Sequence, residues 1–260
     1  MKPRLCIIAL AAFASLMAAQ SQPRFEVATI KLAKNSMGGV WSGCHGIDSV
    51  YAPAQSAEAP PLGRCIITDG RLSHMVGIAW NVTMPMLKSG PDWIQRGDVR
   101  YNLEAKAEDP GHTTEKQLLA MLQALLIERF QLKYHLEPAE LSGFGLTVAK
   151  GGPKFHESQS TDSSMSFGPE GKPNKGHGIM NAHRCSMRQF VDMLSLFGNH
   201  GPGVDHTGLT GLYDFKLTWD EEAGPTIVDA LREQMGLVLK GEKVAVSYFV
   251  IDSAQRPSEN

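Results

Sequence analysis

The chain has 260 residues, of which 42% are hydrophobic and 20% charged; 25 Lys plus Arg stand against 27 Asp plus Glu, giving a formal charge of −2. This mildly acidic balance lacks the electrostatic footprint of a nucleic-acid-binding protein. The length allows a substantial core in one large domain or two lobes.

In chain order, the amino terminus reads as a secretory leader over residues 1–21. Lys2 and Arg4 precede an apolar run from Leu5 through Ala19, and small and polar residues follow around Ala18 to Ser21. The run is shorter than the roughly 20 residues of a membrane span, and no later segment reaches that length, so no transmembrane segment is expected after cleavage. Cys6 precedes the apolar core, which argues against a lipid anchor. The mature chain is expected to be periplasmic or extracellular, and loss of Lys2 and Arg4 takes the charge from −2 to −4.

Phe25 to Lys31 (FEVATIK) is β-branched and partly alternating, hence a first strand. Residues 35–64 read as a long irregular stretch. In an oxidising compartment Cys44 and Cys65 are the favoured disulfide, ahead of other pairings or none, closing a loop of 20 intervening residues. Cys185, the odd thiol, reads as a small buried hydrophobe at a helix start. CIITDGRLSHM, Cys65 to Met75, gives a short strand and turn leading into a short helix near Trp80.

Tyr101, Leu103, Ala105 and Ala107 then alternate with polar residues as a strand. Thr114 and Gln117 form a capping box for a helix with Leu118, Met121, Leu122 and Leu125 on one face, ending near Arg129. Phe130, Leu132 and Tyr134 resume a period of two, and a further strand is expected over Gly143 to Lys150. Residues 158–175, rich in Ser, Gly, Pro and Asp, read as a flexible connector.

Beyond it, Ser186 and Gln189 form a second capping box, for a helix stopped by Gly198. The stretch TGLTGLYDFKLTWD, Thr207 to Asp220, carries Gly208 and Gly211, whose positive φ angles would make a tight turn into a strand with Tyr213, Phe215, Leu217 and Trp219 on its core face. A helix from Thr226 to Met235 stopped by Gly236 follows, then Leu237 and Leu239, and a buried strand over Val244 to Asp252. The order of elements repeats: Tyr101 matches Tyr213, and Ala124-Leu125 matches Ala230-Leu231. We infer an internal duplication. The expected fold is α+β, with a first half over 22–157, the connector over 158–175 and a second half over 176–260.

FEVATIK, DGRLSHM, GPDWI with YNLEAKA, MLQALLIERFQLKYH, AKGGPK, VDHTGLTGLYDFKLTW and the terminal RPSEN together resemble the soil-associated family of secreted proteins of unknown function that is expanded in Acidobacteria. The resemblance implies an exported protein without an established activity and suggests a sensing or interaction role. Asp205, Thr207, Gly208, Gly211 and Tyr213 fall in a family motif read here as a structural turn. The family usually has a basic residue where this chain has His206, which counts against His206 as an obligatory base.

Catalytic patterns are absent from the sequence. There is no H-E-x-x-H, no G-x-S-x-G and no phosphate-binding glycine loop, and the nine histidines lack patterned carboxylates. No metal or other cofactor is expected. Glu104 and Asp214 sit at comparable places in the two halves and read as a solvated strand face rather than a carboxylate pair. The leading expectation is a non-enzymatic exported module that binds an unknown protein, peptide or envelope component. The alternatives are a hydrolase with a loop-assembled His and carboxylate site, and a self-associating structural protein of the envelope.

Overall fold

The computed structural model describes residues 23–34, 41–49, 60–96, 98–160, 164–167, 177–197 and 200–257. The leader assignment over 1–21 and the helix stop at Gly198 lie outside the described residues.

The fold is α+β, as expected. In the first half, β1 (Val27–Leu32), β2 (Trp41–His45), β3 (Arg64–Gly70) and β5 (Tyr101–Lys106) form a four-stranded sheet in the order β1-β5-β3-β2. Later in the chain, β7 (His156–Glu157), β8 (Ser164–Phe167), β9 (His177–Ser186) and β11 (Leu212–Asp220) form another, in the order β7-β11-β9-β8, so the second half as built begins at β7, ahead of residue 176. Adding six to each label of the first order gives the second. Between them runs a third sheet, β10-β6-β12-β4, in which β6 (Lys133–Val148) and β12 (Leu237–Ser253) make a long antiparallel ribbon. Here β4 (Leu87–Lys88) pairs in parallel with β12, and β10 (Gly203–Asp205) pairs in parallel with β6. Each half therefore lends its short strand to the long strand of the other.

Helices cover these sheets: α1 (Leu72–Trp80), α2 (Asp92–Gln95) and α3 (Glu115–Arg129) in the first half, α4 (Met187–Phe197) and α5 (Ile227–Ala230) in the second. The capping boxes form as expected. The Thr114 N–H donates to Gln117 Oε1 at 2.8 Å, and the Ser186 N–H donates to Gln189 Oε1 at 2.9 Å. The helix expected over 226–235 starts at a Thr226 cap and changes after Ala230 to one π-helical segment, Leu231–Met235. Gly236 ends it at φ 68°, a conformation that costs a β-carbon-free residue little.

Two cores result. The first gathers Ile30, Ile67, Met75, Tyr101, Leu122 and Phe130, and the second Met180, Phe190, Leu217, Trp219 and Leu231. Each also takes an aromatic from the other half: Phe249 is fully buried in the first core and Phe144 in the second. The stacked pair Tyr134 and Phe249, with centroids 4.3 Å apart, and the Trp80 indole donating to the Tyr134 hydroxyl at 3.1 Å secure the first exchange.

Four local expectations change. The stretch read as irregular contains β2, which pairs with β3 so that Cys44 lies opposite Cys65. The separate strands expected at 130–134 and 143–150 are one strand, β6; its middle faces solvent and lacks an apolar period. Likewise Ala245 and Ser247 of β12 are exposed, so the segment over Val244 to Asp252 is buried only at Val244 and Phe249 to Ile251. Within the segment read as a connector, Ser164–Phe167 pairs with β9 as β8.

Candidate functional site

The family-motif turn is self-contained. The Asp205 carboxylate accepts from the Thr207 N–H at 2.9 Å and from its hydroxyl at 2.7 Å, and the Thr207 hydroxyl accepts from the Leu209 N–H. Gly208 has φ 69°, the left-handed conformation expected of it. Gly211 departs from that expectation: it is not among the positive-φ residues, and a β-carbon there would lie 2.8 Å from the Tyr213 hydroxyl. Its N–H donates to that hydroxyl at 3.1 Å, so the glycine is needed for close approach. These polar groups satisfy one another, and the motif launches β11.

The disulfide joins Cys44 to Cys65, as the sequence reading favoured. Cys185 is buried and free, and burial pushes its thiol up to about 12, which leaves it protonated and unreactive near neutrality.

Among the described histidines only His156 and His183 come together, beside Asp214; three others stand in separate ion pairs. His206 pairs with Glu242 at 2.9 Å, His135 with Asp252 at 2.8 Å, and His112 with Asp109, all at exposed positions. Among the described residues no group of three or more His, Cys, Asp or Glu is arranged to hold a metal. Glu104, on β5, pairs with Arg64 in the first sheet and Asp214 lies on β11 in the second, so the two carboxylates belong to different sheets. The register partner of Asp214 is His156 on β7; its counterpart in the first sheet is Asn102, which follows Tyr101 as Asp214 follows Tyr213.

Around Asp214 stand Ser158, the Arg184 N–H, His183 at 3.8 Å and His156. A serine nucleophile needs the imidazole between hydroxyl and carboxylate. Here the carboxylate itself takes the Ser158 hydrogen bond, which is not that order of groups. Tyr213, Phe215 and Trp219 are buried in the second core and line no groove.

A concave feature among the described residues lies elsewhere. Between the start of β1 and the outer side of α3 runs a groove of about 350 Å³, at the lower end of the range for ligand sites. Phe25, Ala28, Met121 and Leu125 make its floor; Arg24, Glu128 and Arg129 stand at its rim. Arg24 reaches across to Glu128 at 3.3 Å, an exposed pair that is easily broken. Lys106 holds Glu26 at 2.9 Å on the strand side.

The sequence reading missed this groove. FEVATIK and the helix were both recognised, yet nothing in either marks that they lie side by side. Val27, which lines the groove, and Ile127 on α3 remain 56% and 42% exposed, a property that only the folded chain reveals.

In the second half the corresponding place is occupied by β7, two residues long, and by the four residues of α5 with its π-helical extension, in contrast to the 15 residues of α3. The groove thus marks where two halves with the same sheet order differ most.

No curated protein and no solved structure matches the chain. A family model described as "Protein of unknown function (DUF3738)" matches residues 73–254, which include α1 through β12 but not β1 to β3. The chain therefore belongs to this family of proteins of unknown function, DUF3738.

Proposed function

We propose that the protein is an exported, non-enzymatic binding module of the envelope or the extracellular space, with the β1–α3 groove as its binding site. The observation that carries this reading is the departure of that groove from the plan the halves otherwise share. The matching sheet orders support an internal duplication, with the second copy beginning at β7 and taking in β8, ahead of the expected bounds of 158–175 for a connector and 176–260 for the second half. In a duplicated scaffold, the shared elements serve the fold, and an elaborated surface in one copy is where a separate role is gained.

Export is supported by the leader pattern at the amino terminus and by the Cys44–Cys65 disulfide, a bond that persists in oxidising compartments. The resemblance to the secreted, soil-associated family expanded in Acidobacteria points the same way. No helix of the described residues is long and apolar enough to cross a membrane, which fits a module that acts through a surface.

The test is affinity capture from envelope extract with the tagged chain beside an Ala124→Trp variant, which fills the groove from the helix side. A ligand retained by the first and lost by the second, with equal thermal stability, is the expected result. Equal retention by both would remove the groove from the function. A turnover in a hydrolase screen that disappears on substituting one polar cluster would replace the reading with an enzymatic one.

A further inference from the structure

The edge of β1 beside the groove is chemically specific. The Ala33 N–H donates to the Arg100 carbonyl, and the β1–β5 register continues that antiparallel pairing through Lys31–Asn102, Thr29–Glu104 and Val27–Lys106. Because such ladders alternate, Val27, Thr29 and Lys31 turn their backbone groups toward β5. Ala28, Ile30 and Leu32 turn theirs the other way. Among the described residues β1 has no strand on that second side, where it forms the edge of its sheet.

We propose that this edge takes an extended peptide segment as an added strand, with alternate side chains of the peptide entering the groove against α3. The proposal rests on the groove reading above and names the class of its ligand. Three observations favour a peptide over a compact small molecule. Alternating backbone donors and acceptors at Ala28, Ile30 and Leu32 match the main chain of a strand. The floor beside them is apolar, from Phe25, Met121 and Leu125, and suits one or two aliphatic side chains. At the rim Arg129 has no ion pair among the described residues, while Arg24 is held only by an exposed carboxylate, so an acidic residue of the peptide has a cation to meet.

β1 is long enough to serve as a template, and Lys31, its one charged residue, lies toward its far end from the groove. The equivalent edge strand β7 has two residues, too few to template a partner, whereas β1 has six. No proline interrupts β1. A strand on this side would leave the β1–β5 hydrogen bonds intact, because the two edges use different residues.

The experiment measures fluorescence anisotropy of the full chain with labelled octapeptides in which Val alternates with Thr and one Asp is moved along the sequence. A second set carries N-methyl groups on alternate amides, and a protein variant carries Ala28→Pro, which deletes an outward N–H and leaves β5 pairing untouched. Binding that weakens about tenfold or more with N-methylation in one alternation phase, and by a similar factor in Ala28→Pro, is expected, since about 1.4 kcal/mol corresponds to tenfold. If the variant fails to fold, the N-methylated peptides alone decide. Binding indifferent to N-methylation, or no octapeptide binding while Ala124→Trp still abolishes capture of the envelope ligand, would overturn strand addition and leave the groove as the site. Loss of neither would remove both. A wild-type dimer in light scattering that Ala28→Pro dissociates would assign the edge to a second copy of the chain instead.

Discussion

The backbone N–H of Arg184 donates to Oδ1 of Asp214 at 2.8 Å. Arg184 has φ 52° and sits in the bulge between β9 and β11. The same relation recurs in the first half: Asp69, φ 56°, in the bulge between β3 and β5, donates its N–H to Asn102 Oδ1 at 2.9 Å. An added residue in a bulge leaves a backbone donor outside the ladder, and a short Asn or Asp side chain on the partner strand accepts from it. This explains the Asn or Asp that follows Tyr101 and Tyr213 near the start of each strand.

Removing either acceptor is expected to destabilise the fold unequally. The Arg184 N–H is at an exposed position, so water replaces the lost carboxylate in Asp214→Ala at a cost of about 0.5–1 kcal/mol, whereas Asn102→Ala affects a partly buried bond and costs about 1–2 kcal/mol. Asp214→Asn keeps an acceptor without the charge and should fall between wild type and Asp214→Ala at neutral pH. Urea unfolding of the three variants checks the order; a larger loss in Asp214→Ala would contradict this account.

Acid sensitivity follows from the same carboxyl. Burial opposes its ionisation, but the Ser158 and Arg184 hydrogen bonds, with His183 and His156 nearby, hold Asp214 below its ordinary 3.8. An acid depressed in the folded state contributes stability above its unfolded pKa and loses it as pH falls through the folded value. Wild type is therefore expected to lose stability below about pH 4 more steeply than Asp214→Asn. Parallel curves for the two proteins in thermal unfolding would show that the carboxylate charge contributes nothing.

Exchange of the ribbon ends makes each core depend on the other half. Phe249→Ala removes a fully buried ring and should cost about 3–5 kcal/mol. Hydrogen exchange is expected to rise in α1 and α3 rather than in α4, although residue 249 lies near the carboxyl end. Phe144→Ala should do the reverse. Uniform acceleration in both variants would mean the two cores open as one.

Much of this plan was legible because it is local. Thr114 and Gln117, Ser186 and Gln189, and Gly236 mark helix ends through contacts within four residues, and the alternation at Tyr101 and Tyr213 reports a sheet with one buried face. What escaped depends on distant partners. β2 contains Ser42 and Gly43, poor strand formers, and is fixed by its pairing to β3 across the disulfide. The middle of the ribbon has water on both faces and so no period of two. The groove joins residues about a hundred positions apart, each an ordinary member of its own element.

The cysteines give a paired chemical test. Breaking Cys44–Cys65 releases a loop of about 20 residues, and the chain-entropy estimate for that loop is about 3 kcal/mol. Cys185 should remain unmodified by iodoacetamide at pH 8 in the folded protein, because its thiol lies up at about 12, and become reactive on unfolding. Mass spectrometry of the alkylated, unreduced protein checks this; rapid native labelling would mean that the second core opens readily.

His74 is the third residue of α1, and its Nδ1 accepts from the Arg71 N–H at 3.3 Å, the place taken by Gln117 in α3 and Gln189 in α4. Burial first, then Arg71 and Arg100, lower its pKa from 6.5, with Asp69 opposing them. The unfolded chain therefore binds the proton more readily than the folded one. Stability from the neutral ring is present above 6.5 and lost as pH falls toward the folded value, where Nδ1 ceases to accept. His74→Gln should retain the acceptor without the titration and flatten the stability profile from about pH 6.5 downward, until other groups titrate. His74→Ala should cost about 1 kcal/mol at neutral pH and also lose the slope. Thermal unfolding from pH 5 to 8 distinguishes the outcomes: if Gln and wild type run parallel, the ring is not the group that titrates.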